Sequence, residues 1–211
     1  MEKIITDITE RFDNECINFS KEWYNIADYE LKILLLVSVL EDNSLAFNGT
    51  MKTMCEWLGI KPTATNNKNI KQAIENLNNS GYVEYTHKGQ KYIISITDKG
   101  LEDNQIVRVR RCWVETLKNY KEQVPNGSIG WLNLLKVFVY IYGSNKHEFT
   151  QQEIANNLNI SKGTIGTALK VLEQCNLTGI SISKNILKER LSETFVYNIG
   201  TEVSIGTMFE D

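Results

Sequence analysis

Apolar positions recur in the same rhythm twice along this chain. Ile5, Ile8, Phe12, Cys16, Phe19, Trp23 and Ile26 lie three or four residues apart, one stripe along a helix. A shift of 101 residues finds that spacing again in Ile106, Val109, Trp113, Leu117, Tyr120 and Val124. The same shift carries Leu31, Ile33, Leu34, Leu36 and Leu40 onto Leu132, Leu134, Leu135, Val137 and Ile141. The pattern predicts a long amphipathic helix followed by a more apolar one, written twice. Leu31–Leu40 and Trp131–Tyr142 are apolar nearly all round, which predicts burial on more than one side.

Downstream the offset drifts, as loops of unequal length make it. Phe47 pairs with Phe149 at 102, Ile60 with Ile160 at 100, and Ile70 with Ile165 at 95. It then holds at 95 through Ala73 with Ala168, Ile74 with Leu169, Leu77 with Leu172 and Tyr82 with Leu177. Each repeat closes on alternating segments that predict a β-hairpin. Residues 82–86 and 91–97 flank a tip at 87–90 containing Gly89. Residues 179–182 and 194–199 flank a longer polar tip at 183–193.

Between the apolar helix and the hairpin, each repeat predicts a short helix, a tight turn and a second helix. In the second repeat Thr150 and Glu153 form a capping-box pattern, and Ile154, Ala155 and Leu158 face inward. Asn159-Ile160-Ser161 turns the chain, and Ser161 caps a helix that buries Ile165, Ala168, Leu169 and Leu172. The first repeat is looser: Met54, Cys55 and Leu58, then Gly59-Ile60, then Ile70, Ile74 and Leu77, with an enlarged turn at 61–65. The segment from Phe149 to Glu173 resembles the winged helix-turn-helix family, and the likeness extends over about two-thirds of the chain. The expected fold is therefore α+β, mostly α, an internal duplication of two winged helix-turn-helix units, each preceded by a long amphipathic helix. The expected boundaries are an N-terminal helix over 1–28, a first unit over 29–100, a linking helix over 101–125 and a second unit over 126–211.

The resemblance implies a double-stranded DNA-binding protein: a transcription regulator, or a plasmid or phage replication or transfer accessory factor. Helix rotation of 100° per residue then names the exposed face. On the first recognition helix it holds Lys68, Gln72, Glu75 and Asn79, with Lys71 at the edge. On the second it holds Gly163, Thr167, Lys170 and Gln174, with Ser161, Lys162 and Thr164 in the opening turn. Lys and Gln reach guanine and adenine edges, a threonine methyl meets thymine, and glycine permits close backbone approach near Gly163 and Gly166. His87, Lys88 and Lys91 on the first hairpin and Lys184, Lys188 and Arg190 on the second are placed for phosphate.

Charge changes this picture only in its distribution. The net charge is -3, yet residues 1–45 hold ten acids against four bases, leaving nineteen bases against sixteen acids elsewhere. Lys61 to Lys91 is locally +3, whereas Phe149 to Gly200 is only +1. Arg108, Arg110 and Arg111 form a basic cluster on the expected linking helix, read as a solvated face at least as readily as a phosphate contact. The acidic first 45 residues favour the alternative function, a winged-helix protein–protein interaction module without DNA binding.

Catalysis is not expected. No phosphate loop, nucleophile elbow, paired-carboxylate motif or metal-ligand spacing occurs, so no catalytic residue, metal or cofactor is assigned. The four cysteines are too scattered for a disulfide framework or zinc site and read as small buried hydrophobes. No apolar run reaches the ~20 residues of a membrane span and no signal peptide is apparent, so a cytoplasmic location without membrane partners is expected. Matched repeats make an internal pseudo-dimer the economical assembly. A homodimer is then not required, though Trp23 and Trp113 are available to support one.

Overall fold

The computed structural model describes residues 16–41, 45–101, 106–120, 129–144, 148–175, 177, 180–187 and 194–201, with the backbone alone at 148, 180–187 and 194–201. The fold is α+β and mostly helical, and the chain divides into two compact units, Met1–Val109 and Arg110–Asp211.

In the first unit, strand β1 (Cys16–Ser20) leads through a 3-10 turn (Lys21–Asn25) into helix α1 (Asp28–Leu40). Then come β2 (Ala46–Thr50), α2 (Met51–Leu58), α3 (Ala64–Asn79), β3 (Val83–Lys88) and β4 (Lys91–Ile96). The three strands form an antiparallel sheet in the order β2-β4-β3. After a second 3-10 turn (Asp98–Leu101), β5 (Ile106–Arg110) pairs with β1. The core gathers on α1, where Leu31 and every residue from Ile33 to Val39 is buried against α2, α3 and the sheet. Ser38 lies in that run, and its hydroxyl donates to the Leu34 carbonyl at 2.9 Å, so the buried polar group is satisfied.

The second unit contains α4 (Arg111–Asn119), α5 (Trp131–Tyr142), β6 (Glu148–Thr150), α6 (Gln151–Leu158), α7 (Lys162–Gln174), β7 (Ile180–Leu187) and β8 (Thr194–Thr201). Its sheet has the order β6-β8-β7 and is antiparallel. Helix α5 is the counterpart of α1 in position and buries Leu132, Leu134, Leu135 and Val137 to Val139 against α4, α6 and α7.

The two long amphipathic helices are not what forms. Cys16–Ser20 and Ile106–Arg110 are strands, and helix resumes only as a 3-10 turn and as α4. The expected helices over 1–28 and 101–125 are thus corrected within the described residues; 1–15, 102–105 and 121–125 lie outside them. Alternation explains the outcome: Ile17 and Phe19 are buried around exposed Asn18, and Val107 and Val109 around exposed Arg108. Arg108 and Arg110 accordingly sit on β5, not on a helix, while Arg111 opens α4. Trp23 and Trp113 are both buried inside their own units, so neither offers a surface for a homodimer. Trp23 packs on Phe19 with ring centroids 5.2 Å apart, and Trp113 meets Phe138 and Tyr142 edge-on at 5.5 and 5.2 Å.

Two further expectations shift. The polar tip of the second hairpin is shorter than 183–193, because β7 runs on to Leu187. Phe47 is also not the equivalent of Phe149. Cap threonines Thr50 and Thr150 both precede an eight-residue helix, which places Gly49 where Phe149 stands. Phe47 compensates by laying its ring over Gly49, and a Cβ added there would fall well inside the ring's van der Waals surface. Gly49→Ala is therefore expected to destabilise the first unit by roughly 1–3 kcal/mol in urea denaturation, although alanine ordinarily favours a strand over glycine. Phe47→Leu, by shortening the side chain, should relieve most of the added cost. A neutral Gly49→Ala would show that the ring does not occupy this space.

Candidate nucleic-acid interface

The same local chemistry builds the helix pair in both units. Thr50 accepts from the Thr53 amide and Thr150 from the Glu153 amide, each at 3.2 Å, so each short helix begins on a capping hydroxyl. Each ends on a left-handed residue: Gly59 at φ 66° and Asn159 at φ 52°. Glycine and asparagine are the residues that tolerate this conformation, and it reverses the chain within one residue. Ile60 and Ile160 follow, their amides bonded to the Cys55 and Ala155 carbonyls at 3.0 and 3.2 Å. The second helix then starts on a new cap, Thr63 for α3 and Ser161 for α7, each accepting from an amide at 3.2 Å.

The enlarged turn of the first unit resolves into two parts. Only Lys61 and Pro62 are extra in the link itself. The other three residues lengthen the helix, since α3 has 16 residues and α7 has 13. Those three residues precede Ile70, and from there the offset is a constant 95, so the buried faces stay in phase: Ile70, Ala73, Ile74 and Leu77 against Ile165, Ala168, Leu169 and Leu172.

That phase decides what faces outward. On α3, Lys68, Lys71, Gln72, Glu75 and Asn79 are all exposed. On α7, Lys162, Gly163, Lys170 and Gln174 are exposed, and nothing lies within 4 Å of where a Gly163 side chain would begin. Thr167 is half-buried, with its hydroxyl donating to the Gly163 carbonyl at 3.1 Å, so its methyl is the group left to make contacts. Ser161 and Thr164 hold each other at 2.8 Å between hydroxyl oxygens as part of the cap. Gly166 does not belong to the open face: a Cβ there would meet the Gln151 side chain of α6 at 3.4 Å, an ordinary van der Waals contact. Gln152, Asn156, Asn159, Ser161 and Lys162 line an open groove beside the turn.

The first hairpin stands beside α3. Its two-residue loop puts Gly89 at φ 64° in the first position, as a type II′ connection requires. His87 and Lys88 belong to β3 rather than to the tip. His87 stacks on its cross-strand partner Tyr92 at 4.3 Å, while Lys88 and Lys91 face each other directly. Like charges opposed across a strand pair destabilise it. An anion seated at this end would remove that cost. Burial chiefly, then Tyr85 and Glu75, hold the Tyr92 phenol above its ordinary range, which places Glu75 within electrostatic reach of the hairpin. In the second unit Lys184 lies on β7 opposite Tyr197 of β8, whereas Lys188 and Arg190 fall outside the described residues.

The cysteines differ in their exposure. None of the four is in a disulfide; Cys55 and Cys175 are buried, but Cys112 is exposed and Cys16 half-buried, so the expectation of uniform burial is corrected. Burial pushes the Cys175 thiol up to about 11, partly offset by a hydrogen bond with Tyr120. A thiol raised this far stays protonated, and so weakly nucleophilic, at neutral pH. Among the described residues no group of three or more His, Cys, Asp and Glu is placed to hold a metal ion, and no helix is long and apolar enough to cross a membrane.

Sequence reasoning missed one connection at this face. Asn76 of α3 donates to Glu30 of α1 at 2.8 Å and accepts from Gln72 at 3.0 Å. The i,i+4 spacing of Gln72 and Asn76 was a usable signal for half of it. No protein-family model and no curated protein sequence matches the chain.

Proposed function

We propose that this protein binds double-stranded DNA through two winged helix-turn-helix units formed by internal duplication, and acts as a transcription regulator or as a plasmid or phage replication or transfer accessory factor. The observation that carries the reading is the recurrence, in both units, of a capped helix, a left-handed residue, an isoleucine and a second capped helix, followed by a β-hairpin. A rigid helix pair of this kind presents its second helix to a groove, and the hairpin flanks it. Exposed Lys68, Lys71 and Gln72 on α3 and Lys162 and Lys170 on α7 supply groups that pair with base edges and phosphates. The opposed Lys88 and Lys91 supply a phosphate-seeking tip.

Salt dependence tests it. With both second helices and both hairpins engaged, about 5–8 phosphates are neutralised, so log affinity for duplex DNA should fall against log salt with a slope of about -4 to -7. Fluorescence anisotropy on labelled duplexes, at low and moderate salt, reads this directly. A slope near zero would separate the lysines from phosphate and favour a protein-docking module instead.

A further inference from the structure

The outward face of α3 is tied to α1 by a chain of side-chain hydrogen bonds whose direction is set by chemistry. Glu30 of α1 accepts through Oε1 from Asn76 Nδ2 at 2.8 Å, across 46 residues of sequence. An ionised carboxylate accepts and never donates, so Asn76 must turn its amino group toward Glu30. Its carbonyl oxygen Oδ1 is then left facing along the helix, where it accepts from Gln72 Nε2 at 3.0 Å. Gln72 must in turn aim its amino group at Asn76. Exchanging the two ends of either amide would set acceptor against acceptor somewhere in the chain.

From this we infer that Glu30 is a positioning residue for Gln72 and presets it to read adenine, an inference that rests on α3 facing a DNA major groove. The Gln72 amino group has two hydrogens. One is engaged by Asn76; on this inference the remaining one is the hydrogen beside Oε1. Together that hydrogen and Oε1 form an edge that donates to N7 and accepts from the N6 amino group of adenine. Guanine offers two acceptors in the same place and would set its O6 against Oε1. Without an acceptor-only group at position 30, Asn76 and Gln72 are free to exchange ends, and the edge loses its fixed order.

The test is selection of bound duplexes from a randomised library, using the full chain, Glu30→Gln, Gln72→Ala and the double variant. Glu30→Gln keeps the size of the side chain and removes only its acceptor-only character. Loss of the negative charge strengthens binding to every duplex alike, so base preference is the readout. The native protein should enrich adenine at one position, by about tenfold over what Gln72→Ala retains there. Glu30→Gln should lower that preference by about threefold or more, with no further loss when Gln72 is already alanine. An adenine preference that disappears in Gln72→Ala but survives Glu30→Gln overturns the positioning role and leaves DNA reading intact. Failure of the native protein to enrich any duplex overturns the DNA reading and the assignment to adenine with it. In the unbound protein, NMR of the Gln72 and Asn76 side-chain amides should show both shifted by Glu30→Gln. Unchanged amides overturn the positioning role whatever DNA does.

Discussion

Trp113→Ala is expected to cost the second unit about 3–5 kcal/mol, the range for removing a large buried aromatic. Trp113 is the largest side chain on α4, only 4% exposed, and its ring closes edge-on against Phe138 and Tyr142 of α5. The Arg110 guanidinium lies over the same ring at 5.4 Å, so the substitution also removes a cation–π contact. Denaturation followed by circular dichroism gives the total. Amide hydrogen exchange locates it, with protection expected to fall across α4 and α5. Trp113→Phe should retain most of the stability, because it keeps an aromatic edge in the same place. A loss below about 1 kcal/mol for Trp113→Ala would mean that the cavity collapses without penalty and that this cluster does not hold the unit together.

On the proposed DNA-binding reading, variants of the helix face and of the hairpin should separate base reading from backbone holding. Gln72→Ala or Thr167→Ala is expected to cost roughly 1–3 kcal/mol on a preferred duplex and little on random DNA, since a lost base contact removes discrimination. Lys88→Ala or Lys91→Ala should weaken binding to both kinds of DNA alike and lower the salt slope by about one each. The hairpin variants also relieve the repulsion between two opposed ammonium groups, so the free protein should become slightly more stable as its DNA affinity drops. That opposite movement of stability and binding is a signature of a site held against its own charge. The fold should survive the hairpin and Gln72 changes, because those side chains are exposed. Were the hairpin variants to alter sequence preference while Gln72→Ala and Thr167→Ala did nothing, the hairpin would be the reader and the helix pair its support.

The helix pair was legible from residues alone because each of its signals is local. A threonine or serine that caps, a glycine or asparagine that turns left-handed and apolar positions three or four apart each depend on a few neighbours. The strands β1 and β5 were not legible by spacing. Cys16, Phe19 and Trp23 fit a helical stripe, while Ile17 and Phe19 fit alternation, so periodicity by itself was ambiguous over so short a run. The β-branched run Ile106-Val107-Arg108-Val109-Arg110 carried the better signal, since valine and isoleucine alternating with arginine suit a pleated, half-buried surface.

By itself, then, the sequence determined the periodic apolar faces, the caps, the chain reversals and the polar residues left over on α3 and α7. These follow from hydrogen bonds and steric limits spanning one helical turn or one hairpin. Only the tertiary structure decided that residues 16–20 and 106–110 pair as strands, since each needs a partner some 90 residues away to satisfy its backbone. It alone decided that the Phe47 ring fills the space above Gly49, and that Gly166 faces Gln151 rather than solvent. It alone brought Glu30 to Asn76, because nothing in the spacing of two residues 46 apart says which way their side chains point once two helices pack.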